Sequence, residues 1–171
     1  MKIAGCDPGK SGGFALIDLD ACTIAVVEMP VEAATKSRSL TSPTAVADLL
    51  HAARPDWLFL EEVGTAPGEG AVGAFSFGRG FGRVEGIAAG ALVPVWLVRP
   101  AEWKRQLQVP ADKARAVTRA KQLMPAAAPA FHGPRGGVKD GKAEAALIGL
   151  YGCLKLSVMP KQPLTLVDWP S

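Results

Sequence analysis

Five acidic side chains close or open apolar runs, and their types and positions set the chemistry available to this chain. Asp7 follows Ile3, Ala4, Gly5 and Cys6 and precedes Pro8-Gly9; Glu61 and Glu62 end "DWLFLEEV"; Asp140 and Glu144 begin "DGKAEAALIGLYGCLKL". Asp140 and Glu144 lie four apart and so share one helix face. Carboxylates drawn from separate segments into one cleft repel each other, and a divalent cation relieves the repulsion. Oxygen donors without His or Cys favour Mg²⁺ or Mn²⁺. Each acid also has an ordinary reading. Asp before Pro-Gly forms turns, a strand-end Glu is solvated, and Asp140 can cap a helix. Glu144 resists that treatment, because the helix it opens is apolar nearly all round and an unpaired carboxylate beside a core is costly.

The elements that must position these acids follow from the hydrophobic pattern. Residues 1–7, 12–20 and 22–30 read as an antiparallel meander, short apolar runs separated by turn residues. The polar stretch 31–42, with Lys36 and Arg38, reads as a mobile loop. A helix follows in "TSPTAVADLLHAARPD", with Pro43 at its first position. Residues 56–63 read as a buried parallel strand, 64–73 as a Gly/Pro loop, 74–92 as a Gly-rich helix and 93–98 as a strand. Helices are predicted in "RPAEWKRQL" and over 110–124, a loop over 125–139 and a last helix over 140–156. Residues 1–156 form one domain in this reading, and 157–171 a loose tail.

Composition narrows the class. The chain has 171 residues, 49% apolar and 20% charged, with a net charge of only +3. That is globular, and it carries no overall basic field, so any anionic partner must be met locally. Cys6, Cys22 and Cys153 stand far apart in apolar surroundings, without metal-type spacing. They read as reduced core residues. With no basic and apolar leader at the start and no membrane-length apolar run, the expectation is a cytoplasmic protein without a membrane partner.

The ordered set "GCDPG", "FLEE" and "DGKAEAALIGLYG" resembles the RuvC-type Holliday junction resolvases of the ribonuclease H-like superfamily, closest to phage and organelle types. "FSFGRGFGRVEGIAAG", "VRPAEWKRQL" and "DKARAVTRAKQLMP" resemble the segments between, so that the likeness covers most of 1–155. It implies an α/β fold: a mixed sheet of three antiparallel strands, then parallel β–α units, with helices on both faces. It implies a crossover junction endodeoxyribonuclease of DNA recombination and repair, hydrolysing paired phosphodiesters with two Mg²⁺ or Mn²⁺ ions per site. By motif match the catalytic and metal-holding residues are Asp7, Glu61, Asp140 and Glu144, with Glu62 on the other face of its strand. Bacterial members usually carry the last two acids three apart; here they are four apart, as in the organelle types.

The resemblance also implies a homodimer on four-way junction DNA, in which the Gly-rich helix could form part of the interface. For DNA contacts the sequence offers Arg79 and Arg83 on that helix, then Lys104, Arg105, Lys113, Arg115, Arg119 and Lys121 in two adjacent segments. Each is also explicable as a solvated charge; their concentration points to a phosphate track. Lys142 sits beside the acids, either against the scissile phosphate or solvated. Phe75 or Phe77 stacks on the junction or packs in the core. The rival readings are a nuclease acting on other branched DNA or RNA–DNA hybrids, a non-catalytic junction-binding module, and an actin-like ATPase, which needs two such domains.

Overall fold

Strand β1 (Lys2–Asp7) runs through the middle of a six-stranded sheet, and its alternation assigns every later element to a side. The computed structural model describes residues 1–35, 38–62, 64, 68, 70–133 and 136–171. β2 (Gly13–Asp18) and β3 (Thr23–Glu28) continue β1 as an antiparallel meander. A separate hairpin, β4 (Val31–Thr35) and β5 (Arg38–Thr41), precedes helix α1 (Pro43–Ala53). β6 (Trp57–Glu61) then pairs parallel to β1, and after helix α2 (Ala71–Gly90) β7 (Val95–Val98) pairs parallel to β6. Helices α3 (Pro100–Gln106), α4 (Lys113–Leu123) and α5 (Asp140–Lys155) follow. With β8 (Thr165–Leu166) the sheet order is β7-β6-β1-β2-β3-β8.

Helices cover both faces, as the mixed-sheet expectation required. Ile3, Ala15, Ile17, Ile24 and Phe59 point to one side and pack with α3, α4 and α5. Ala4, Cys6, Phe14, Leu16, Leu58 and Leu60 point to the other and pack with α1 and α2. The two sets alternate along each strand, as the pleat demands. α5 is buried continuously from Ala145 to Cys153 because it lies between the sheet and α4. It sits directly on β1: a Cβ on Gly5 would overlap the backbone nitrogen of Gly149 and the carbonyl oxygen of Ala145. Further along, a Cβ on Gly141 would overlap the carbonyl of Ser11. The first turn of α5 thereby rests on the turn that follows Asp7.

Three segments depart from the sequence reading. Residues 31–42 are not a loop throughout but the β4–β5 hairpin, with Thr41 buried. Polar residues masked its strand pattern, and the partner that fixes it lies far along the chain: Arg83 of α2 donates to the Thr41 carbonyl and pairs with Glu32 at 3.5 Å. Within 125–139, Pro125–Phe131 forms a 3-10 helix that buries Ala127 and Phe131. The segment read as a loose tail returns to the sheet. β8 pairs with β3, the Trp169 ring meets Phe14 edge-on at 6.3 Å, and its indole N–H donates to the Leu49 carbonyl at 3.2 Å. Lys36 and, of the Gly/Pro loop, residues 65–67 and 69 lie outside the described residues. Among the described residues no helix is long and apolar enough to cross a membrane.

Gly5→Ala forces β1 and α5 apart and is expected to cost about 3 kcal/mol or more. Gly86→Ala, where an added Cβ meets nothing within 4 Å, is expected to add about 0.5–1 kcal/mol. Urea denaturation of both variants checks the contrast, and equal midpoints would contradict the packing described.

Candidate active site

Alternation puts Asp7 and Glu61 on the α5 side of the sheet, since Asp7 follows Ile3 and Gly5 by twos and Glu61 follows Phe59. They end neighbouring parallel strands. The seat of α5 on β1 brings Asp140 and Glu144 in from above. Asp7 is held by its own turn: the Gly9 N–H donates to Oδ1 at 2.9 Å, and the Gly12 N–H closes the turn on the Gly9 carbonyl at 2.8 Å. Glu61 is held by Trp103, whose indole N–H donates to Oε1 at 2.9 Å. Glu62 leaves in another direction and pairs with Arg99 at 3.2 Å.

Two lysines stand against the helical acids. Lys113 Nζ donates to Asp140 Oδ2 at 2.7 Å, and Lys104 Nζ lies 3.4 Å from Glu144 Oε1. The electrostatics register the crowding. Burial lifts the Asp7 carboxyl to about 6, against the Gly9 N–H, with further lift from Glu144 and Asp140. Burial lifts Glu61 to about 7, against the Trp103 hydrogen bond, with Asp7 and Glu144 adding to it. Asp140 is lowered, first by its hydrogen bond from Lys113, and Lys113 is raised by the same bond.

Asp7 is therefore within electrostatic reach of the other three acids, and Glu61 of Asp7 and Glu144. The four do not, however, close on one point: among the described residues no three His, Cys, Asp or Glu side chains are gathered tightly enough to hold one ion. The reason is visible in the partners. Each carboxylate is turned to a different donor: the Gly9 N–H, the Trp103 indole, Lys113 or Lys104. The donor set itself fits a hard divalent cation, because it is all carboxylate and its two most buried members are held up by lack of compensating charge.

The other singled-out residues divide between locations. Phe77 borders the Asp7 turn, its ring 3.7 Å from where a Cβ on Gly9 would lie, whereas Phe75 is 74% exposed. Arg79 is exposed on α2, and Arg83 is spent on the hairpin. Arg105 and Arg115 are exposed on the α5 side. Arg119 donates to the Leu107 carbonyl at 2.8 Å, and Lys121 meets His132 at 2.9 Å. The sheet thus separates the α2 arginines from the α3–α4 cations. Lys142 lies on the far flank of α5, lining a cavity with Val27, Pro129 and Asp168. Trp103 was missed in the sequence: its only signal is a lone indole in a short basic helix, and it is fully buried.

This sheet order, with helices on both faces and acids at the ends of its central strands, defines the ribonuclease H-like fold. Among solved structures it is similar to Thermus thermophilus RuvC in complex with a Holliday junction substrate, with TM-score 0.62 and 19% identity over 91% of this chain and 96% of that one. A second Thermus thermophilus RuvC structure gives 0.61 and 20%, over 92% and 98%. The fowlpox virus Holliday junction resolvase gives 0.52 and 15%, over 91% and 99%. No family model matches the chain, and no curated protein does.

The raised carboxyls make a stability prediction for the metal-free protein. Folded Asp7 and Glu61 retain protons that the unfolded chain has already released, so their contribution is fully present below about pH 4 and is lost as pH rises through about 6 and 7. For Asp7 the shift corresponds to about 3 kcal/mol. Asp7→Asn keeps an oxygen for the Gly9 N–H and removes the charge. Its Tm at pH 8 in EDTA is expected to rise by about 6–12 °C, with little change at pH 4; calorimetry across pH checks this, and an unchanged or lower Tm at pH 8 would contradict it.

Proposed function

We propose that this chain is a metal-dependent endonuclease that resolves four-way DNA junctions by paired phosphodiester hydrolysis. The observation that supports it most is the grouping of Asp7, Glu61, Asp140 and Glu144 at one end of a sheet whose fold is shared, over nearly the whole chain, with a protein solved on its junction substrate. Asp7, Glu61, Asp140 and Glu144 would hold two Mg²⁺ or Mn²⁺ ions, which supply an acidified attacking water and charge stabilisation at the leaving oxygen. The residues of the chain do the rest. The compact Gly9–Gly12 turn leaves room for a phosphate to approach Asp7. Trp103 fixes Glu61, and Phe77 flanks the cleft. Phe75, exposed on the first turns of α2, would stack on an unpaired base.

Two symmetric cuts call for two sites related by a two-fold axis, so the working unit is a homodimer. The exposed glycines Gly78 and Gly82 of α2, where an added Cβ meets nothing within 4 Å, are the face offered to the second copy. Arg105 and Arg115 anchor phosphates. The place of such an enzyme is with the DNA, in the cytoplasm.

The test presents a four-way junction, a fork, a plain duplex and an RNA–DNA hybrid with Mg²⁺, Mn²⁺ or EDTA. Paired cutting of the junction in metal only, lost in Asp7→Asn with junction binding retained, is the expected result. Equal cutting of all substrates points to a general nuclease, and binding without cutting to a junction-binding module. Arg105→Gln and Arg115→Gln are each expected to reduce the slope of log binding constant against log salt by about 0.9, measured by fluorescence anisotropy; unchanged slopes would remove them from the interface.

A further inference from the structure

Lys104 and Lys113 arrive in the acidic cleft from α3 and α4, whose Arg105 and Arg115 are exposed to solvent. Lys113 reaches Asp140 at 2.7 Å although its side chain is 77% exposed. Lys104 reaches Glu144 at 3.4 Å, with its ammonium 5.0 Å from the centre of the Trp103 ring. Both have long flexible stems rooted outside the cleft. The Lys113–Asp140 pair, with its ammonium in solvent, has little net worth and exchanges readily, and the half-buried Lys104–Glu144 pair is held only at 3.4 Å. Each lysine also takes up carboxylate oxygens that a divalent cation would need. Lysine, a compact single-point charge, leaves such a carboxylate more easily than arginine, whose planar fork can grip it with two hydrogen bonds.

We propose that Lys104 and Lys113 are exchangeable counterions: each occupies a helical carboxylate until a divalent cation displaces it, and each then turns to a DNA phosphate. The proposal rests on reading the four acids as the metal site. It ties two binding events together. Metal loading frees two cations at the cleft mouth for DNA, and by linkage DNA must favour metal loading to the same degree. A free protein then holds metal weakly, and a junction-bound protein holds it tightly.

The first measurement is Mn²⁺ binding to the DNA-free protein, followed by the electron paramagnetic resonance signal of free Mn²⁺. Lys113→Met is expected to bind Mn²⁺ about fivefold more tightly than the unmodified chain, and Lys113→Arg more weakly. Lys155→Met, at the far end of α5, alters the net charge equally and is expected to leave the affinity unchanged. Unchanged or weaker binding by Lys113→Met, or an equal gain in Lys155→Met, would overturn the proposal. Asp7→Asn separates the two levels: if it binds Mn²⁺ as the unmodified chain does, the reading of the acids fails and the proposal with it. If Asp7→Asn loses binding while Lys113→Met is unchanged, only the proposal fails. The second measurement is junction affinity in Ca²⁺ and in EDTA. The gain on adding Ca²⁺ is expected to shrink in the Lys104→Met/Lys113→Met double variant, and an undiminished gain would refute the coupling.

Discussion

At Gly5 the central strand and the last helix meet backbone to backbone, with no side chain between them. That contact sets the height of α5 above the sheet, and the Gly141 contact with the Ser11 carbonyl sets how far the helix reaches along it. Asp140 and Glu144 come level with Asp7 only because both are met. A side chain at either position would lift the helix by roughly the width of a methyl group, in an interior too dense to absorb it. The acids are therefore located less by their own hydrogen bonds than by absent side chains on the elements that carry them.

Electrostatics oppose this arrangement. Burial and mutual repulsion hold Asp7 and Glu61 far above ordinary carboxyls, and the chain offsets part of the strain with donors: a backbone N–H, an indole and two ammonium groups. Sites that perform proton or phosphoryl chemistry often carry such unfavourable charge, since a preorganised field is what a ligand of opposite sign exploits. The same donors explain why the four carboxylates are near one another and yet turned apart.

How much of this was legible in the sequence depended on whether the deciding contact was local. The meander, the parallel strands and α5 could be read because alternation and apolar runs are properties of single segments. The choice of Glu61 over Glu62 rested on a family motif, and the strand pleat puts Glu61 on the α5 side, beside Asp7. The β4–β5 hairpin was not legible, since Arg83 holds it from more than 40 residues away. Nor was the division of the basic residues: Arg79 and Lys121 look like one track along the chain, but the sheet stands between their helices. Lys142 adjoins the acids in sequence and faces away in space, because two residues along a helix is more than half a turn. Conversely, Lys104 and Lys113 lie far from the acids in sequence and against them in space.

The return of the chain after α5 has a consequence of its own. The last residues pass from one face of the sheet around its margin to the other, where Pro170 and Ser171 rest near Asp48 and His51 of α1. This belt pairs with the first two residues of β3, Thr23 and Ile24, and so covers part of a margin that would otherwise present a longer row of bare amides and carbonyls to any neighbouring molecule. Ending the chain at Lys155 would spare every acid and still leave a protein prone to polymerise through that uncovered rim.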